Sequence, residues 1–192
     1  MEREAARSAK RLDREVAKAR PARASNWGYF SGPVETRWEN DGVTMVLLNE
    51  LRYRDPYGEV WVAPAGSRVN GASVPRAFWS LIGAPFEGKY RNASVLHDVA
   101  YEEQTRSWQD ADQMFYNAMR CSGVGAVTAK TMYYALRRHG RHWKHRQAFS
   151  VQSASDARSS AVIPEDVGEI RRWIQANDPN LDQIETRANE SR

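Results

Sequence analysis

One hundred and ninety-two residues, 41% apolar and 10% aromatic, suffice for one core-forming domain, and 27% charge with a mean hydropathy of −0.73 places much polar sequence outside that core. No apolar run approaches the ~18 residues of a membrane-spanning helix, and the first residues lack the apolar stretch of a secretory signal. One cysteine and four histidines exclude a disulfide framework and a structural zinc cluster of the usual kind, and the net charge of +4 is mild and unevenly placed.

In chain order, residues 1–26 read as a charged helical arm. Lys and Arg outnumber Asp and Glu there, only Leu12 and Val16 are large and apolar, and Pro21 closes the helix. Residues 27–149 read as the globular part. Segments 27–30, 34–38, 43–53 and 59–69 are rich in aromatic and β-branched residues. Turns at Asn40-Asp41-Gly42 and Asp55-Pro56-Tyr57-Gly58 separate them, which predicts an antiparallel meander. Alternation falters over Met45-Val46-Leu47-Leu48, as in a strand covered on both faces. Residues 75–90 read as irregular. Three helices follow: 92–104; 107–121, opened by Ser107-Trp108-Gln109-Asp110 in the form of a capping box; and 126–139, closed by Gly140.

From Arg137 to Arg146 the chain is basic without an acid, and Trp143 alone is available to stack a base. That stretch reads as cations at a helix C-terminus rather than as a nucleic-acid contact. Residues 150–162 read as a Ser/Ala-rich linker. Residues 163–192 read as an amphipathic helix and tail, the helix opening at Pro164 with Val167, Ile170, Trp173 and Ile174 on one face. The expected fold class is α+β: an antiparallel β-meander packed with a helical hairpin and a third helix, with helical arms at both ends.

Chemistry-bearing residues concentrate on the first two central helices. His97 and Tyr101 lie one turn apart on one face, Asp98 is rotated by about 100°, and a short connection makes the next helix an antiparallel neighbour. That arrangement brings Asp112 to the His97 imidazole. A carboxylate-held histidine is the general-base half of many hydrolases, and the same pair is how a core satisfies a buried histidine; spacing leaves both open. Asp98 is left facing an adjacent cleft, where a hard cation could use it. The chain contains no Gly-x-Ser-x-Gly elbow, Walker loop or dinucleotide fingerprint. Cys121 reads as a packed thiol, and Gly140 interrupts the spacing of His139, His142 and His145.

Pro64-Ala65-Gly66, Asn70-Gly71-Ala72-Ser73-Val74-Pro75-Arg76, Leu96-His97-Asp98 with Tyr101, Ala111-Asp112 with Phe115, and Met132-Tyr133-Tyr134-Ala135-Leu136-Arg137 before Gly140 and Trp143 carry a resemblance. Over residues 27–145 they resemble the domain-of-unknown-function 1353 family, which implies a bacteriophage or prophage protein. The family usually has Asp where this chain has Asn70. The His97-Asp98-x-x-Tyr101 and Ala111-Asp112 runs are also similar to the paired helices of phospholipases A2. That similarity implies that His97 activates water, Asp112 orients His97, Tyr101 supports the network and Asp98 ligates calcium; Asn70, at the position where the first family usually has Asp, is the second candidate metal ligand.

Two functional readings follow. The first is a virion or tail-associated structural or accessory protein, made in the bacterial host cytoplasm. It would dock other virion proteins, or further copies of itself, through its terminal arms. The alternative is a calcium-assisted, phospholipase A2-like acyl hydrolase acting on membrane lipid during infection. In that case His97, Asp112 and Tyr101 are catalytic, and Asp98 and Asn70 bind the metal.

Overall fold

The computed structural model describes residues 25–71, 73, 86, 88–143 and 164–190. The N-terminal arm up to residue 24, most of the segment expected to be irregular, the end of the basic stretch and the expected linker lie outside the described residues.

The fold is α+β. Its strands are β1 (Tyr29–Phe30), β2 (Thr36–Trp38), β3 (Met45–Leu47), β4 (Leu51–Arg54), β5 (Val60–Ala63) and β6 (Arg68–Val69). They form two three-stranded antiparallel sheets, ordered β1-β4-β5 and β2-β3-β6, where the sequence predicts one meander. The two long strand-like runs each break in the middle. Between β3 and β4 the chain crosses from one sheet to the other: Leu47 is buried and Leu48 is 51% exposed, which accounts for the faltering alternation. Between β5 and β6 a turn intervenes, with the Ser67 N–H donating to the Pro64 carbonyl at 3.1 Å and Gly66 at φ +85°.

The β4–β5 hairpin keeps its expected turn. The Asp55 carboxylate accepts the N–H groups of Tyr57 and Glu59 at 2.9 Å each and the Trp61 indole N–H at 3.4 Å. β1 reaches β4 because Gly28 sits at φ +87° against the Arg54 carbonyl, where a Cβ would lie 2.0 Å from the oxygen.

Three helices lie where the sequence places them: α1 (Arg91–Glu103), α2 (Trp108–Cys121) and α3 (Ala126–His139). Ser107 caps α2 by accepting the Asp110 N–H at 3.1 Å. α3 ends at Gly140, where a Cβ would meet the Leu136 carbonyl oxygen at 2.4 Å and the Tyr101 hydroxyl at 3.0 Å, so glycine lets the chain pass close to that side chain.

Two more helices, α4 (Pro164–Asn177) and α5 (Leu181–Glu190), pack against α3. The apolar face of α4 is taken up within the chain, with Val167, Ile170 and Ile174 buried. Residues 181–190, read as tail from the sequence, are helical. Asn180 and Gln183 open α5 with reciprocal side-chain-to-backbone bonds of 2.9 Å each, and Ile184 and Ala188 are buried beneath it.

The basic stretch turns partly inward, contrary to a solvated helix end. Arg137 is buried, donates to Glu185 on α5 and to the Tyr133 hydroxyl, and lies over the Trp108 ring. His142 stacks on the same indole, with ring centroids 3.7 Å apart. Among the described residues no helix is long and apolar enough to cross a membrane.

Because α5 completes the core over α3, Ile184→Ala is expected to lower stability by about 2–4 kcal/mol in a denaturant titration. Amides of α4 and α5 should exchange slowly in the wild-type monomer and fast in the variant.

Candidate functional site

The helical hairpin places the expected dyad. His97, midway along α1, is fully buried, and its Nε2 lies 3.1 Å from Oδ1 of Asp112 on α2, itself fully buried. One turn along α1, the Tyr101 hydroxyl donates to the same Oδ1 at 2.6 Å. A carboxylate only accepts, so the proton of a neutral His97 sits on Nε2 and the Nδ1 lone pair faces the other way. Aromatic rings fix the imidazole plane: Phe115 lies with its centroid 4.6 Å away and Tyr101 4.1 Å away, while Trp143 meets Tyr101 edge-on. Burial first, then the charge of Asp112 and the bond to it, push the Tyr101 phenol well above its ordinary range. It therefore remains a neutral donor across the pH range of a working protein.

What Nδ1 faces is Ser73, which the sequence reading did not single out as a site residue. Its Oγ lies 3.0 Å from Nδ1, and the residue is half-buried on the loop after β6. The clue available in the sequence was the Asn70-Gly71-Ala72-Ser73 run. Only the tertiary path, 24 residues across the chain, joins it to His97.

Asp98 arranges this meeting. Its Oδ2 accepts the N–H groups of Asn70 at 3.1 Å and Gly71 at 2.5 Å, and its Oδ1 accepts the Ser73 N–H at 3.3 Å and the Ser73 hydroxyl. The structure does bring Asp98 and Asn70 together, with the opposite polarity from that of a metal site. Hydrogen-bond donors surround the carboxylate, and a cation there would face backbone N–H groups. The residues present do not fit the calcium that the phospholipase similarity implies, and Asp98 serves instead as the anchor of the 70–73 loop. Among the described residues no cluster of three His, Cys, Asp or Glu is placed to hold a metal ion.

Behind the dyad, Oδ2 of Asp112 is buried without a hydrogen-bond partner among the described residues. Arg137 interacts with this carboxylate electrostatically. Desolvation alone would lower its guanidinium, but Tyr133, Glu185 and Asp112 outweigh it and hold the group above its ordinary value. Cys121 lies elsewhere, its thiol donating to the Gly28 carbonyl at 3.2 Å and pushed up by burial, as suits a packed, unreactive group.

Fold and site define an α+β domain whose helical hairpin buries a His–Asp–Tyr cluster beneath a serine-bearing loop. Residues 45–136 match the family described as "Protein of unknown function (DUF1353)". Two relatives from Sinorhizobium fredii (strain NBRC 101917 / NGR234) are similar to it. "Uncharacterized protein y4jT" is 45% identical over 97 residues, half of this chain and 29% of the relative. "Uncharacterized protein y4iH" is 30% identical over 103 residues, 54% of this chain and 43% of the relative. The match therefore spans less than half the length of either relative. No solved structure matches the chain significantly.

Removing the loop anchor with Asp98→Ala leaves three backbone N–H groups and a hydroxyl without their acceptor, and is expected to cost about 2–3 kcal/mol. Added calcium should leave the wild-type melting temperature unchanged. A calcium-dependent rise that disappears in Asp98→Ala would restore the carboxylate as a metal ligand.

Proposed function

We propose that the domain is a hydrolase of carboxylic esters in which His97 is the general base. The observation that carries this reading is the continuous hydrogen-bonded line through one imidazole. Asp112 on Nε2, steadied by Tyr101, fixes the tautomer and the ring plane, and Nδ1 is left to take a proton from a hydroxyl. As His97 takes that proton it becomes cationic, and the buried Asp112 carboxylate stabilises the cation where water is excluded. Lipid esters are the substrate class that the phospholipase similarity suggests, and soluble short-chain esters are the comparison arm of the test. Wild type should release carboxylic acid from one of these classes. His97→Ala should lower the rate by at least about 100-fold and Asp112→Asn by a similar factor, both with circular dichroism unchanged. A wild type inert toward both classes overturns the reading.

A second reading, docking onto other proteins in a virion, has one observation in its favour. Trp38 (57%), Val43 (54%) and Leu48 (51%) are exposed along the β2–β3 hairpin, and among the described strands β2 has a free outer edge. If that hairpin is a docking surface, Trp38→Lys should abolish co-assembly with particle proteins while leaving the melting temperature within about 1 °C, because an exposed side chain contributes little to the fold. Unchanged assembly would remove the hairpin from the interface.

A further inference from the structure

We infer that the hydroxyl activated by His97 is that of Ser73, so that hydrolysis runs through a covalent acyl-serine; this rests on the hydrolase reading above. Three observations converge. Ser73 Oγ and His97 Nδ1 are 3.0 Å apart, within reach for proton transfer, and a third group holds the far side of the same imidazole. Nucleophile, base and orienting carboxylate in one line are the arrangement by which an ordinary hydroxyl becomes reactive. Ser73 is also half-buried, whereas His97 and Asp112 are fully buried, so the hydroxyl is the member of the line that a substrate carbonyl meets first. Finally, the loop is held where it must be: Asp98, the residue next to the base, binds the N–H groups of Asn70, Gly71 and Ser73.

The Ser73 hydroxyl has one proton and two acceptors, Asp98 Oδ1 and His97 Nδ1. At rest the proton is donated to Asp98 Oδ1, and it turns from there to Nδ1 for the reactive step while the oxygen stays in place. In the reactive step the O–H proton passes to Nδ1, Oγ bonds to the carbonyl carbon, and the carbonyl π pair moves to its oxygen. Collapse expels the alkoxide, which takes the proton back from Nδ1 and leaves as the alcohol. Water then enters, gives its proton to Nδ1 and attacks the acyl-serine. The carboxylic acid departs, and Ser73 recovers the proton. The N–H groups of Asn70, Gly71 and Ser73 are already engaged by Asp98 and do not serve the developing oxyanion, so covalent capture is a more sensitive readout than turnover.

The full chain is treated with an alkyl fluorophosphonate, which loses fluoride to an activated serine, and is then analysed by intact mass and peptide mapping. A single adduct on Ser73 is expected, absent in Ser73→Ala and formed at least about 100-fold more slowly in His97→Ala. Because Ser73→Ala also removes a bond to Asp98, Ser73→Cys is the second variant. It keeps a nucleophile in place and should retain the butyryl group of p-nitrophenyl butyrate as a thioester, seen as a mass increase. An unlabelled wild type that hydrolyses esters as fast as Ser73→Ala does would overturn the inference and leave His97 acting on water. A wild type that neither labels nor hydrolyses would overturn the hydrolase reading itself, and this inference with it.

Discussion

Between α1 and α2 stands the Asp112 carboxylate, with none of its surface open to water and both of its hydrogen-bond donors supplied by the other helix. A carboxylate withdrawn from solvent costs several kcal/mol unless donors and countercharge meet it. Here the imidazole N–H, the phenol and the field of Arg137 meet it together. The hairpin therefore has one register in which the charge is tolerated. A slip by one residue would turn His97 and Tyr101 off the shared face and leave the carboxylate alone. Phe115 packs against the imidazole within the buried core, and the polar trio decides how that core is aligned.

The next constraint grows from adjacency. His97 and Asp98 are neighbours on α1 rotated by about 100°, so the helix can present one to α2 and the other to the loop after β6. Asp98 gathers three N–H groups of the chain just after β6, and so ties the β2-β3-β6 sheet to the helical layer. A carboxylate in such a cradle is matched as an anion and mismatched as a cation ligand. The His-Asp pair thus takes on different work here from that of a calcium-binding enzyme with the same residue order.

The C-terminal helices extend the same network outward. Glu185 on α5 receives both the Tyr133 hydroxyl and the Arg137 guanidinium from α3, and Arg137 in turn faces Asp112 electrostatically. Burial pushes the Tyr133 phenol up, so it too serves as a neutral donor. One chain of charges and donors thus runs from α5 through α3 to the dyad. α4 and α5 accordingly belong to the same folded unit as the site.

The sequence by itself determined the α+β class, the three central helices with the Ser107 cap and the stop at Gly140, and the meeting of His97, Tyr101 and Asp112, because all of these follow from local periodicity and one short connection. The helix 181–190 was read as tail, although Asn180-Leu181-Asp182-Gln183 carries a capping signal, because only Ile184 and Ala188 of its short sequence are buried and their partners lie on other elements. The split of the strands into two sheets was not legible either. Which edge a short strand joins depends on where its buried side chains find partners, as when Gly28 admits the Arg54 carbonyl and Leu48 turns to solvent while Leu47 turns inward. Nor could the sequence tell whether Asp98 would face a cation or a loop, that Ser73 would close on His97, or that Arg137 would turn inward toward Glu185. Those contacts join residues 24 to 48 positions apart. Their geometry is set by how the layers pack, and packing depends on all the buried side chains together rather than on any one stretch of chain.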